Sequence, residues 1–245
     1  MAQKIKLSTI GEALGVSTAT VSLALRDSPL VAEATKEKIK AHARQMGYIY
    51  NRRAASLRTS KSGIIGVVVH DIMNPFYGEI LKSIETELDR SRHTFLLSNH
   101  YDNVEKQRDF LDTLMQLGAD GVIMSPAIGT PLDDVDLILR NGLPVVLIAR
   151  SIPRASLPVF RGDDAFGTGL ATKHLISLGH KRIAFIGGTD ETSTGRDRYQ
   201  GYLAAMQKAE LAAKPEWRIP GPRTKQAGFE ATGELSASRA GQSRF

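Results

Sequence analysis

The chain has 245 residues, which is enough for one large domain or for a small domain followed by a larger one. It contains no cysteine, which excludes disulfides, thiol catalysis and thiolate zinc sites, and this agrees with a reducing cytoplasm. No apolar run approaches the roughly 18 residues of a membrane span, and the charged N-terminus lacks the apolar stretch of a secretory signal. We therefore expect a cytoplasmic protein with no membrane partner.

Positive charge is concentrated in the first quarter of the chain. Residues 1–62 hold eleven Lys and Arg against four Asp and Glu, a net charge of +7, whereas the remainder holds 21 against 22, a net charge of −1. A nucleic-acid phosphate backbone is the natural counter-surface for such a segment. A solvated basic face without a partner has the same composition and is the alternative.

The predicted elements begin with three short helices between residues 7 and 48. The first carries an apolar stripe at helical spacing and ends at Gly15. Ser17 can cap the second helix, which extends to about Leu25, and Gly47 ends the third. The hydrophobic core of such a unit is small, so its stability should be modest.

The first two helices have the layout of a helix-turn-helix motif, in which the second helix enters the major groove of DNA. Val16, Val21 and Leu25 should hold the two helices together. Apolar side chains on the remaining surface suit thymine methyl groups, and hydroxyl groups suit bases or phosphates. The residues expected to face outward are Thr18, Ala19, Ser22 and Leu23. An ordinary helical hairpin in a small bundle is the alternative.

Residues 50–62 form a basic linker without a strong apolar period. Ala54, Ala55 and Leu57 permit one helical turn, but an isolated helix that short does not persist in water because its nucleation is too costly. We expect this linker to need DNA or a partner chain to become ordered.

From Ile64 onward the pattern changes to alternating strands and helices. Apolar runs typical of buried parallel strands occupy 64–69, 93–98, 121–125, 144–149 and 182–188. Helices are predicted at 75–91, 105–117, 132–141, 166–178, 199–211 and 225–235. This alternation predicts a doubly wound α/β fold. Residues 236–245, which lack Val, Ile and Leu, are expected to form a disordered tail.

Several separated motifs, in the same order, resemble the LacI/GalR family of bacterial transcriptional regulators. They are GVS-x-x-TVS, GY-x-x-NR, an A-x-x-L linker, IGVVV-x-D-x-x-NPF and HLISLGHKRIAFIGG, and the resemblance extends from residue 5 to about 235. It implies an all-α helix-turn-helix headpiece (1–49), a hinge linker (50–62) and an α/β doubly wound, periplasmic-binding-protein-like effector core (63–235). It also implies a sequence-specific regulator, expected to be a repressor, that needs no cofactor and is controlled by a sugar- or purine-like effector.

The resemblance further implies a homodimer on a pseudo-palindromic double-stranded DNA operator. Base reading is implied at Thr18, Ala19 and Leu23. Contacts with phosphates or the DNA backbone are implied at Thr20, Ser22, Asn51 and Arg52. Leu57 matches a hinge residue that wedges into the minor groove, which costs unstacking energy but permits bending; a minor core role in the linker is the alternative.

Three positions depart from the family pattern. Leu23 replaces the polar residue that some family members use for base reading, so the operator sequence cannot be transferred. Ala32 replaces a Ser N-cap of the third helix, a loss of ~1 kcal/mol unless Glu33 compensates through the helix dipole. Ala149 replaces an acid after the fourth strand, which leaves one familiar pocket group without support.

Ligands of doubly wound sheets bind beyond the carboxyl ends of the strands. There we predict an effector site formed by His70, Asp71, Phe76 and Tyr77, whose aromatic rings suit stacking on a ligand ring. Arg198 matches the ligand-binding arginine of the family and suits vicinal hydroxyls or a carboxylate. A purely structural role is the alternative for His70, Tyr77 and Arg150.

The sequence contains no P-loop, dinucleotide-binding or nucleophile-elbow motif, and its six histidines show no metal-like spacing. We therefore expect neither a catalytic site nor a metal site. A periplasmic-type sugar-binding protein without a DNA role is the alternative function, and the basic headpiece argues against it. Because family chains are longer, we expect a truncated member whose second lobe is incomplete and whose effector binding and dimerisation are weakened.

Overall fold

A computed structural model of the chain describes residues 5–50, 61–221 and 224–240, with side chains described as far as residue 235. The chain divides into two compact units, residues 1–60 and 61–245. No helix in the described ranges is long and apolar enough to cross a bilayer.

Between residues 5 and 50, the first unit forms the helices α1 (Leu7–Leu14), α2 (Thr18–Leu25) and α3 (Glu33–Gln45). Gly15 ends α1 in the left-handed conformation, with φ of 65°, which is the region that glycine enters without a steric penalty. Ser17 caps α2, because its hydroxyl accepts a hydrogen bond from the Thr20 amide at 3.0 Å. Both predicted boundaries are confirmed. The buried core of the unit consists of Ile10, Val21, Ala24, Val31, Ile39 and Ala43.

The start of α3 matches the departure noted in the sequence. Ala32 occupies the N-cap position and makes no side-chain cap hydrogen bond, while Glu33 is the one acidic residue of the first turn. The carboxylate of Glu33 therefore lies where the helix dipole favours negative charge.

The second unit is built on a five-stranded parallel sheet with the strand order β2-β1-β3-β4-β5. The strands are β1 (Ile64–Val69), β2 (Thr94–Asn99), β3 (Gly121–Met124), β4 (Val145–Ile148) and β5 (Val159–Phe160). The helices between them are α4 (Pro75–Arg90), α5 (Val104–Leu117) and α6 (Leu132–Arg140). The predicted α/β alternation is confirmed.

Side-chain alternation in β1 explains why the sheet has helices on both faces. Val68 joins the core cluster that contains Leu114 of α5 and Ile138 of α6. Val67 and Val69 point to the other face and join the cluster that contains Tyr77 of α4. Because successive side chains of a strand point to opposite faces, a strand covered on both sides is apolar throughout, as the sequence of β1 is.

The chain then forms a smaller layer. Helix α7 (Asp164–Ser177) is followed by β6 (Phe185–Ile186), α8 (Ser193–Lys208), a short 3-10 turn (Pro215–Trp217), β7 (Arg218–Ile219) and α9 (Lys225–Ala240). Strands β6 and β7 pair in parallel as a separate two-stranded sheet.

Three boundaries of this layer differ from the sequence expectations. The strand predicted at 182–188 is limited to two residues, because β7 offers pairing partners to Phe185 and Ile186 alone. Helix α8 begins six residues earlier than predicted, at Ser193, because the Thr192 hydroxyl caps it by accepting from the Gly195 amide at 3.1 Å.

The third difference concerns the end of the chain. The prediction of a disordered tail from residue 236 is wrong for residues 236–240, since α9 continues through Ala240. Alanine and arginine are good helix formers, so a segment without Val, Ile or Leu can still extend a helix. Residues 241–245 lie outside the described part of the chain.

Candidate DNA-binding and effector sites

The N-terminal part of α2 presents the surface expected to read DNA. Thr18 and Ala19 are exposed, as predicted. The Thr20 hydroxyl is 2.9 Å from the Ser17 hydroxyl, so it belongs to the cap of the helix. Leu23 is half-buried and packs against the core of the first unit, which leaves only part of its side chain for a partner. The contacts of these residues with DNA stay predictions.

Ser22 does not face outward. Its side chain is buried, and its hydroxyl oxygen has no hydrogen-bond partner in the described part of the chain. On a helix of 3.6 residues per turn, Ser22 lies only about 60° around the axis from Leu25, at the edge of the apolar stripe. A small residue at that edge is covered by its larger neighbours, so the predicted orientation of Ser22 is wrong.

Gly11 sets how closely α1 approaches the turn before α2. A Cβ atom at this position would lie 2.6 Å from the carbonyl oxygen of Val16, closer than real side chains come. The Val16 amide in turn donates to the Gly11 carbonyl at 2.9 Å. Sequence reasoning passed over this residue, although a glycine inside a short helix is a signal of close backbone approach.

Some of the positively charged side chains of the first unit form ion pairs within that unit. Lys36 pairs with Glu33 at 2.9 Å, and Lys40 pairs with Asp27, which follows α2. The hydrogen bond to Asp27 is the main reason why the pKa of Lys40 lies above its ordinary value. Lys38 and Arg44 are exposed and remain available to a phosphate backbone. Three further predicted DNA contacts, Asn51, Arg52 and Leu57, lie outside the described residues.

In the second unit, a buried ion pair ties together the ends of the parallel strands. Arg150, which follows β4, donates from Nη1 to Asp102 Oδ1 at 2.5 Å and to the Pro126 carbonyl at 3.1 Å. The same Asp102 oxygen accepts from the Ile128 amide at 3.1 Å, and its other oxygen lies 3.2 Å from His70 Nδ1. One carboxylate thus joins the segments that follow four of the five strands, β1 to β4.

The charge of Asp102 depends on these partners. Burial is the largest influence on its pKa and favours the protonated acid. The hydrogen bond and charge of Arg150, the Ile128 amide and the charge of His70 together outweigh that influence and hold the pKa of Asp102 below its ordinary value. Asp102 is therefore ionised at neutral pH, and the ion pair is maintained.

His70, His100 and Asp102 lie close enough together to resemble a metal site, with candidate ligand atoms within 4.8 Å of one another. His100, however, uses Nε2 to bind the Ser125 carbonyl at 2.8 Å and Nδ1 to accept from the Asp102 amide at 2.9 Å. Neither nitrogen keeps a lone pair for a cation, and the Arg150 guanidinium beside Asp102 opposes a second positive charge. The cluster fits a structural network better than a metal.

The residues predicted for the effector site have different environments. His70 belongs to the Asp102 network, and Asp71 accepts from the Met73 amide at 2.9 Å within a turn. Phe76 is exposed, so its ring is available. Tyr77 is only 4% exposed and its hydroxyl binds Ser125 Oγ at 2.8 Å, so the idea that its ring stacks on a ligand is wrong for this structure. Arg198 pairs with Asp164 at 2.6 Å.

A cavity of about 340 Å³ lies beside the Arg150 network. It is formed by the loop after β3, the loop after β4 and the start of α8, at the carboxyl edge of the sheet where ligands of this fold bind. None of the five predicted effector residues lines it. Its wall includes three residues that sequence reasoning did not select, Arg154, Ser193 and Arg196. Arg196 stands two positions before Arg198 in GRDRYQGY, and the role of Arg198 in binding an effector stays a prediction.

Comparison with known protein families covers most of the chain. The profile described as bacterial regulatory proteins of the lacI family matches residues 6–51. The profile described as periplasmic binding proteins and the sugar binding domain of the LacI family matches residues 62–237.

Individual proteins give the same result. The chain is 32% identical over 231 residues to the maltose regulon regulatory protein MalI of Escherichia coli K12, covering 94% of this chain and 67% of MalI. It is 31% identical over 230 residues to the transcriptional repressor PurR of Haemophilus influenzae PittEE, covering 94% of this chain and 68% of PurR. A structure of the lac repressor dimer bound to operator and an anti-inducer matches with a TM-score of 0.79 at 22% identity, covering 96% of this chain and 71% of that one. The chain therefore belongs to the LacI family of bacterial regulatory proteins and is a DNA-binding regulator of transcription.

Proposed function

We propose that this chain represses transcription by binding a pseudo-palindromic operator as a homodimer, and that a small effector held in the second unit changes its affinity for that operator. The exposed N-terminal surface of α2, with Thr18 and Ala19 beside a strongly basic segment, is the observation that carries the proposal. The names of MalI and PurR, a regulon regulator and a repressor, support the regulatory role.

The effector part of the proposal rests on the second unit. Its family profile is described as a sugar binding domain, and the cavity lies at the edge of the sheet where this fold binds ligands. The buried Arg150–Asp102 pair fixes the loops that surround the cavity. We further propose a cytoplasmic location, no catalytic activity, and division of the chain into a headpiece (1–49), a hinge (50–62) and an effector core (63–235).

Selection of bound duplexes from random DNA, performed with the full chain, tests the DNA-binding part. A consensus with two inverted half-sites about one helical turn apart is the expected result, because a dimer repeats α2 across its two-fold axis. A single half-site would contradict the dimer, and the absence of any consensus would contradict sequence-specific binding. Retention of ligand binding in that last case would favour a sugar-binding protein without a DNA role.

A pair of variants locates the DNA surface. Ala19→Glu places a carboxylate on the exposed face of α2, where repulsion from phosphates and bases should lower affinity for the selected DNA at least tenfold. Ala41→Glu makes the same chemical change at an exposed position of α3 and serves as the matched control, with an expected loss below about threefold. Equal losses in fluorescence-anisotropy titrations would show that general charge, and not the surface of α2, determines the binding.

A further inference from the structure

The cavity beside Arg150 has a wall that is rich in hydrogen-bond donors and poor in acceptors. Arg150, Arg154 and Arg196 line it, against a single acid, Glu191. Among the described residues, no Asp, Asn or Gln side chain contributes to the wall. Arginine donates hydrogen bonds and accepts none, so the side chains of this wall offer many more donors than acceptors.

Arg150 is fixed in place, and it has more N–H donors than its partners within the protein use. Its Nη1 serves Asp102 and the Pro126 carbonyl, whereas a guanidinium carries five N–H donors in total. Asp102 does not line the cavity. The Asp102 carboxylate therefore fixes Arg150 without offering an acceptor to a molecule bound in the cavity.

Ser193 adds a buried hydroxyl to the same wall. Its side chain is 5% exposed, and Oγ accepts a hydrogen bond from the Ser151 amide at 3.0 Å. The Ser193 hydroxyl hydrogen has no acceptor within the described ranges, so it can be donated to a bound group. Arg154 and Arg196 are exposed at the same cavity, and Arg196 uses Nη1 for the Asp190 carbonyl.

We propose that this cavity binds the anionic group, a phosphate, sulfate or carboxylate, of a sugar-sized effector. The inference rests on the proposed function, because it assigns a chemical class to the effector of that site. Oxyanions accept hydrogen bonds in the planar geometry that guanidinium groups offer. The hydroxyls of a neutral sugar donate as well as accept, and the side chains of this wall offer their hydrogens few acceptors besides Glu191. The volume of about 340 Å³ falls in the range of small-molecule sites.

Calorimetric titration of the full chain at constant ionic strength tests the proposal with four probes: glucose 6-phosphate, gluconate, uncharged glucose and inorganic phosphate. At least one of the two anionic sugars should bind tenfold or more tightly than glucose. A preference for the phosphate or for the carboxylate then identifies the anionic group. Tighter binding of glucose, or no binding of either anionic sugar at millimolar concentration, overturns the inference.

Two arginine variants tie the binding to the cavity. Arg154→Gln should weaken binding of the anionic sugar about tenfold, and Arg154→Lys should restore part of it, because loss of a charge-assisted hydrogen bond is an effect of this size. Arg140→Gln removes an exposed arginine from the last turn of α6, outside the cavity, and should leave affinity within twofold. Equal losses in Arg154→Gln and Arg140→Gln would mean unspecific attraction of anions and would overturn the inference.

The same ligands added to the complex with selected DNA separate this inference from the proposed function. If only the neutral sugar binds, and it changes the affinity for DNA, the inference is overturned while the proposed function is supported. An anionic sugar that binds through Arg154 without changing DNA affinity supports the inference and contradicts effector control.

Discussion

Replacement of Gly11 by alanine should displace the recognition helix while adding a single methyl group. The new Cβ would lie 2.6 Å from the Val16 carbonyl oxygen, whereas ordinary contacts begin at 3.4 Å, so α1 and the turn before α2 must move apart. Overpacking of this kind costs about 1–3 kcal/mol, and the better helix propensity of alanine returns about 0.5–1 kcal/mol. The net loss, up to about 2.5 kcal/mol, is large for a unit with such a small core.

Gly15→Ala is the matched control for this change. Gly15 has φ of 65° and no atom within 4 Å of an added Cβ, so alanine there is strained without pushing the helices apart. The strain amounts to about 1–2 kcal/mol, reduced by the lower entropy of the unfolded chain. The two variants should therefore have similar thermal stability by circular dichroism and different function.

DNA titration at a temperature where both variants are folded separates them. Gly11→Ala should lose at least tenfold in affinity for the selected operator, because α2 is displaced from the position set by Gly11. Gly15→Ala should stay within about threefold. Equal affinities of the two variants would refute the claim that the close approach at Gly11 positions the recognition helix.

Three further predictions concern the second unit. Burial of His100 lowers its pKa below the ordinary 6.5, so the free energy of unfolding should fall as the pH drops below 6.5. In denaturant titrations between pH 8 and 5, His100→Gln should remove this pH dependence. Arg150→Met leaves the Asp102 carboxylate buried without its arginine partner and should lower the free energy of unfolding by about 3–5 kcal/mol. Adding Asp102→Asn to this variant should recover part of the loss. Strictly additive effects of the two substitutions would show that the two side chains do not stabilise the fold as a pair. Asp120→Ala should reduce the effect of an effector on operator affinity without changing the affinity for the effector itself. Asp109→Ala, on the exposed face of α5, is the neutral control. If Asp120→Ala left the effector's influence on operator affinity unchanged, Asp120 would have no role in coupling.

The sign of the acid dependence follows from both buried groups. Between its lowered folded-state pKa and 6.5, His100 is protonated more readily in the unfolded chain, so acidification favours unfolding there. Asp102 acts at lower pH, because its folded-state pKa lies below 3.8 and the stability that its charge provides is lost as the pH falls through that range. A two-step loss of stability on acidification is therefore expected from the core.

The parts of the fold that depend on local patterns could be predicted from the sequence. The apolar run of β1 is continuous because its side chains enter core clusters on both faces of the sheet. Ser17 caps α2 with its own hydroxyl, and Gly15 ends α1 through its positive φ angle. Such boundaries need no tertiary information. The same holds for the start of α4, where the side-chain oxygen of Asn74 accepts a hydrogen bond from the Phe76 amide at 3.1 Å.

The parts that depend on how segments meet could not be predicted. Whether Ser22 is buried depends on the bulk of its neighbours, because its position at the edge of the helical stripe is compatible with either outcome. The aromatic ring of Tyr77 suits ligand stacking, but packing of α4 on the sheet buries it, and its hydroxyl binds Ser125, which follows β3. The wall of the cavity comes from three segments that are distant in sequence, so no single motif marks it.

Strand β3 connects the place where the chain enters the second unit with the loop that borders the cavity. At its start, Asp120 accepts hydrogen bonds from the Ser62 and Gly63 amides, both at 2.8 Å, and so holds the chain where it enters this unit. At its end, Ser125 binds Tyr77 and His100, and the Pro126 carbonyl binds Arg150. Four residues of extended chain span only about 13 Å. We therefore expect a ligand that moves the loop after β3 to act on a short strand whose preceding residue, Asp120, is hydrogen-bonded to Ser62 and Gly63, where the linker meets the effector core.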